Sequence, residues 1–327
     1  MNGDLELETY PLVKKWVEKH EHLQSKHLTS GESFFFKIGL LLKSPVKTPT
    51  PWIRVLKEFS MSKGPSENAF DESLEVARSL SCDLMQVISY LTEDTVAKGR
   101  GAEIYAPLRQ LVVHSQTLGL RFLAAWTAFN IDQYRECLTL CEPILDRYSH
   151  VYLLAGQAHL HLGEIHEAIE TIKVSTVLSP QESAAWFLLA KAYLIADDTD
   201  RALSAVQECL VLDAKDMESS FLALLIGTHR LCSEHNRLAT LNLTRDKVLC
   251  TDLPTDCFLK YIEVALLAPD RTYLLDFLAK VKEMGIQLSV DHPYQAQQLT
   301  SILKTLGQVQ DFEGSRRVLE CLALPQK

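Results

Sequence analysis

Residues 185–206, AWFLLAKAYLIADDTDRALSAV, are apolar almost throughout their first half, break at a run of acids, and then resume. The same order of residue types occurs one step earlier. Laying HVYLLAGQAHLHLGEIHEAIETIKVSTVLSP (150–180) on AAWFLLAKAYLIADDTDRALSAVQECLVLDA (184–214) pairs Tyr152 with Trp186, Gly156 with Ala190, His159 with Tyr193 and Gly163 with Asp197. The pairing continues through Ala168 with Ala202, Ile172 with Val206, Ser175 with Cys209 and Pro180 with Ala214, all at a constant shift of 34 residues. A shift of this length, carrying aromatic, small, turn, small and bulky positions in fixed order, predicts one helical hairpin stacked on the next. Gly156, Ala190, Ala168 and Ala202 let paired helices approach closely, while Gly163, Asp197 and Asp198 suit the turn between them. Pro180 falls where the second helix must stop.

Further units flank this pair. LRFLAAWTAFNIDQYRECLTLCEPIL (120–145) places Ala125 at the close-packed position, Asp132 in the turn, and Cys137 and Cys141 on the inner side of the second helix, 31 residues before its successor. SSFLALLIGTHRLCSEHNRLATLNL (219–243) keeps helix length and apolar periodicity but loses the small residues. FLKYIEVALLA (258–268) with TYLLDFLAKVKEMG (272–285) reads as another helix pair, and 295–324 recovers a hairpin pattern with Leu299, Ile302, Leu303 and Leu306 at helical spacing. The apolar runs are thus explained by helices packed on two sides, and the aspartates that close the 185–206 run exclude membrane insertion there.

On these residues the region resembles tetratricopeptide repeats, clearly over 120–214, moderately to 243 and more weakly beyond. The resemblance implies an all-α fold, a right-handed superhelix of antiparallel helix pairs. In such repeats the first helix of each pair lines the concave surface. Counting along those helices then places Phe122, Trp126 and Phe129, next Leu153, Gln157 and Leu160, and next Phe187, Lys191 and Leu194 on that side. Some members of the family clamp a C-terminal carboxylate with lysine, asparagine and arginine at these places. Here the places hold mostly Phe, Trp and Leu, which disfavours chaperone tails ending in acids. The expected occupant is either the chain's own N-terminal segment or C-terminal helices or a partner's helix or peptide, and the candidate contact residues are Phe122, Trp126, Phe129, Leu153, Gln157, Phe187, Lys191 and Leu194.

The N-terminal third does not match the repeat. Residues 9–28 and 71–94 carry helical periodicity, the second with an acidic first turn, while the prolines of KSPVKTPTPW (43–52) predict a loop or extended crossing. Gly99 and Gly101 mark a junction, so the expected organisation is a helical N-terminal cap over 1–98 followed by a repeat domain over 99–327.

Charge and composition narrow the partners. With 33 basic against 42 acidic residues, the formal charge of −9 repels nucleic acid and anionic lipid from the body of the chain. Between Lys37 and Lys63, however, six bases face the single acid Glu58, so membrane contact is confined to that basic segment. FFFKIGLLL (34–42) is about half as long as a spanning helix, and MNGDLELETY lacks a signal-type apolar core, so a cytoplasmic protein is expected. The eight cysteines include no CxxC pair, which fits thiols used as small apolar side chains.

Catalytic and metal chemistry find little support in the sequence. The histidines fall in two groups, His20, His22 and His27, and His159, His161 and His166. His20 and His22 point apart on a presumed helix, His159 occupies a packing position, and Cys137 and Cys141 coincide with small-residue sites of the repeat. GRG at 99–101 lacks the strand and spacing of a phosphate loop, and HExxH, GxSxG and DxDxDG are absent. No catalytic, cofactor or metal residue is therefore assigned, and small-molecule binding is disfavoured. The expected role is a non-catalytic adaptor or scaffold in a multiprotein assembly. Two alternatives are a chaperone or cargo receptor shielding an apolar segment, and a coat or tether subunit using the basic stretch 37–63.

Overall fold

The computed structural model describes residues 14–15, 17–18, 28–43, 49–61, 69–79, 84–115, 117–214, 216–249, 254–285 and 289–321. The described residues form seventeen α-helices, one 3₁₀ turn and no strand. They fall into two compact units, 1–163 and 164–327.

The first unit contains α1 (Ser30–Lys43), α2 (Pro49–Met61), α3 (Ala69–Ser79), α4 (Leu84–Ala97), α5 (Gly101–His114), α6 (Leu118–Asn130), α7 (Tyr134–Cys141), the 3₁₀ turn Glu142–Arg147 and α8 (Ser149–Leu162). The apolar residues of 34–59 build a core of their own kind. Phe34, Phe35, Ile38, Trp52 and Leu56 are buried, and Phe34 stacks on Phe59 with ring centroids 4.1 Å apart. This core runs on without a break through Ile104 and Leu108 of α5 to Ala124, Ala125 and Ala128 of α6. The bases around it stay at the surface, where Lys37 and Arg54 both bind Glu58, at 3.0 and 2.8 Å.

The proline-rich crossing is corrected in its second half, because residues 49–52 open α2 rather than forming a loop. Pro49 and Pro51 sit in the first turn, where the N–H that proline lacks has no intrahelical acceptor and its fixed φ already suits a helix. Residues 44–48 lie outside the described residues, as do most of the helix expected over 9–28, with His20, His22 and His27, and also Cys82 and Cys250. The periodic stretch 71–94 is divided between α3 and α4.

The second unit contains α9 (Ile165–Leu178), α10 (Ser183–Ile195), α11 (Thr199–Leu212), α12 (Met217–Thr228), α13 (Glu234–Val248), α14 (Thr255–Leu267), α15 (Thr272–Glu283), α16 (Pro293–Gln308) and α17 (Phe312–Glu320). From α10 onward these are antiparallel hairpins, and the first helices α12, α14 and α16 lie side by side in chain order. A core of Leu224, Phe258, Tyr261, Ile262, Phe277 and Ile302 ties the hairpins together, with Tyr261 stacked on Phe277 at 4.0 Å.

First helices of successive hairpins start at Leu118, Ser149, Ser183, Met217, Thr255 and Pro293, in steps of 31, 34, 34, 38 and 38 residues. Each predicted close-packed position is filled as its size demands. Ala125, Ala168, Ala190, Ala202 and Cys137 are fully buried. The aromatic position at the start of each repeat anchors its own entry loop. Tyr152 donates its hydroxyl to Asp146 at 3.3 Å and Trp186 donates its indole N–H to the Pro180 carbonyl at 2.9 Å, both six residues upstream.

The turns also repeat. Asp132, Asp197 and Gln310 adopt the left-handed region with φ of 61°, 61° and 56°, and Gly163 does so with φ 75°. After the first three, the next residue's N–H returns to a carbonyl five residues back: Gln133 to Ala128, Asp198 to Tyr193 and Asp311 to Leu306, each at 2.9 Å. This is the Schellman closure, which satisfies carbonyls left open at a helix end. Asp198 and Asp311 then cap the following helices by accepting from the N–H groups of Arg201 and Gly314, at 3.1 and 2.8 Å.

The α12/α13 connection differs. Five residues, 229–233, join these helices where three join α10 and α11. His229 is extended at φ −65°, ψ 140°, and Ser233 caps α13 by accepting from Asn236 N–H at 3.1 Å. The longer loop folds back on the preceding turn. His229 Nε2 lies 3.1 Å from Asp197 Oδ1, and an Arg230 guanidinium nitrogen lies 3.6 Å from Oδ2.

Candidate protein-docking surface

In the first unit, Phe122, Trp126 and Phe129 follow the 4-then-3 spacing of one face of α6, and all three are half-buried. Their inner edges pack on the core while their outer edges reach the surface. Neighbouring rings fix their orientation. Phe122 meets His150 edge-on at 5.5 Å, and His150 stacks on Tyr148 at 5.6 Å. Phe129 meets Tyr134 and His161 edge-on at 5.5 and 5.4 Å, and His161 stacks on Tyr134 at 4.6 Å. Leu153 and Gln157 are half-buried on α8.

In the second unit, Phe187 and Leu194 are half-buried on α10 and Lys191 is exposed between them. The Lys191 ammonium lies 5.7 Å from the centre of the Phe187 ring, within range of a cation–π contact. Phe187 and Lys191 form one side of a cavity of about 400 Å³, within the range of roughly 300–1,000 Å³ common to ligand sites. Its other walls are Met217, Phe221, Leu222 and Leu225 of α12 and Pro254 and Cys257 at the start of α14, with Glu218 and Asp256 at the polar edge. Asp216 holds the start of α12 in place by accepting from Glu218 N–H at 3.0 Å.

Met217, Phe221 and Leu225 were not among the residues expected from sequence. The signal was present, since Phe221 and Leu225 stand 34 residues after Phe187 and Lys191. The register is masked one position away, where Leu224 occupies the place that Ala190 holds one repeat earlier. Close approach is supplied one turn later by Gly227. A Cβ built there would lie 2.9 Å from Val264 of α14 and 3.1 Å from Thr240 of α13.

The residues weighed for other chemistry have structural surroundings. Cys137 and Cys141 are buried in the α6/α7 core, and hydrogen bonding to Cys137, with burial, pushes the Cys141 thiol up. Burial likewise raises Cys209, to about 11. Thiols held protonated in this way are poor nucleophiles at neutral pH. His161 is a stacking partner of Tyr134, and His166 is exposed at the start of α9. Among the described residues no helix is long and apolar enough to cross a membrane.

A sequence model described as anaphase-promoting complex, cyclosome, subunit 3 matches residues 133–209, the stretch from just before α7 into α11. The repeat is of tetratricopeptide type. No curated protein matches the sequence significantly. Among solved structures the chain is similar to residues 41-end of MamA from Desulfovibrio magneticus RS-1, at 14% identity over 50% of this chain and 96% of that one, with a TM-score of 0.41. It is also similar to YrrB, titled a TPR protein with an unusual peptide-binding site, at 14% identity over 58% of this chain and 96% of that one, TM-score 0.37. A third likeness is to the Cut9–Hcn1 hetero-tetramer of the APC/C, at 15% identity over 93% of this chain and 55% of that one, TM-score 0.36.

Proposed function

We propose that this chain is a non-catalytic adaptor of the cytoplasm that holds a helix or extended segment of another protein against the apolar face of its first helices. The observation that carries this reading is found in each unit by itself: half-buried apolar side chains on α6 and α8 in the first, and on α10 and α12 in the second, where Phe187, Phe221 and Leu225 line an apolar cavity. Each ring is packed on one edge and open on the other, so covering it removes apolar area from water at roughly 25 cal/mol per Å² before the costs of ordering the partner. The absence of a basic cluster among these positions favours an apolar or amphipathic ligand over an acidic tail.

Phe122→Glu and Phe187→Glu, made singly and together, test the reading. The double variant is expected to lose the partners recovered with the wild-type chain by affinity purification and mass spectrometry, with its helical circular dichroism intact. Unchanged recovery would move the site elsewhere. If the recovered partners are proteins that are insoluble when expressed alone, the role is shielding rather than assembly. Salt-sensitive flotation with anionic vesicles would instead assign the function to the basic segment 37–63.

A further inference from the structure

Resting on the docking reading, the geometry points to a specific ligand chemistry for the cavity of the second unit. We propose that it receives a bulky apolar side chain of a partner segment whose neighbouring residue is lysine or arginine. The floor is apolar, made by Phe187, Met217, Phe221 and Leu225. A side chain of the size of Phe, Trp, Met or Leu fits within about 400 Å³. The charged edge is unbalanced. Lys191 is engaged with the face of Phe187, whereas Glu218 and Asp256, both exposed, have no cationic partner among the described residues. Asp256 accepts only from a neutral donor, the Gln295 amide nitrogen at 2.9 Å.

Carboxylates such as Glu58, Glu103, Glu313 and Glu320 each bind a lysine or arginine within 3.0 Å. What distinguishes Glu218 and Asp256 among the surface carboxylates without an ion pair is that both stand at the edge of one apolar cavity. Two carboxylates beside an apolar pocket attract a cation to its edge and repel an acid, which sets the partner's sequence preference and its encounter rate more than its total affinity. The apolar anchor supplies most of the binding. The same edge argues against the carboxylate-terminated tails that other repeats of this type clamp.

Random peptides displayed on phage and selected on the full-length chain provide the test. Selected sequences are expected to place Phe, Trp, Met or Leu within a few residues of Lys or Arg. A synthetic copy of the consensus should bind about tenfold or more weakly to the Glu218→Lys/Asp256→Lys variant, whose changes lie at exposed positions, and should weaken as salt rises. Selection on that variant should exchange Lys and Arg for Asp and Glu. Peptides that carry no basic residue, or that bind the charge-reversed variant unchanged, would overturn the proposal. Peptides lost with Phe122→Glu but retained with Phe221→Glu would place docking on the first unit and remove the cavity from it. No enrichment on the wild-type chain would sink the docking reading itself.

Discussion

The hairpins α10/α11 and α12/α13 follow one another in the second unit and meet the same demand for close helix approach with different residues. In α10/α11 the small side chain is Ala190, and three residues close the turn through left-handed Asp197. In α12/α13 Leu224 fills that place, Gly227 provides the approach one turn later, and five residues connect the helices. A helical repeat is thus set by the spacing of its contact faces, while the position of the small residue can move along the helix by a turn if its neighbour changes size with it. Phe221 and Leu225 keep the outward face of α10 on α12, even though the inner face has been rebuilt.

The largest way to break this comparison is at Leu224, fully buried against the core of the later hairpins. Leu224→Ala restores the residue type of the earlier repeat without the neighbours that suit it, and is expected to cost about 2–5 kcal/mol in chemical denaturation. Gly227→Ala is expected to cost about 1–3 kcal/mol, because the new methyl meets Val264 and Thr240 at 2.9 and 3.1 Å and one of the helices must shift. A stable Gly227→Ala protein would mean that close approach is set elsewhere. Asp197→Ala should lose about 1–2 kcal/mol through left-handed backbone strain, whereas Asp197→Gly should lose distinctly less, and equal losses would assign Asp197 to its ion pairs instead. The smallest effect is expected outside the pair. Gln310→Gly, at a turn with φ 56°, should raise stability by about 0.5–1 kcal/mol.

Much of the repeat was legible because its punctuation is chemical. Gly163, Asp132 and Asp197 announce left-handed turns by residue type, and each adopts one. Gln310 adopts the same conformation with no such signature, so the last hairpin could be seen only by its apolar spacing. Beyond Thr228 the two extra residues of the α12/α13 connection contribute to lengthening the step from 34 to 38, and a search at fixed shift loses phase there. The half-buried apolar positions of α6, α8 and α10 were legible for the same reason that those of α12 were not: the count relies on the small residue to set register, and α12 has Leu224 there. Pro49 and Pro51 carry a signature that a helix start and a loop share, and the burial of Trp52 is what separates them. The division proposed at 98/99 falls beside Gly99, whose φ of 73° turns the chain between α4 and α5 inside the first unit.

The loop 229–233 does more than join two helices. By returning His229 and Arg230 to the carboxylate that closes the previous turn, it adds a tie between the tips of consecutive hairpins beyond their shared apolar face. In a stack whose stability is a sum of single-repeat and nearest-neighbour contributions, such a tie raises the neighbour part alone. Amide exchange in α10 through α13 would then slow as one block, and cutting the tie at Asp197 would let the two hairpins open on separate clocks.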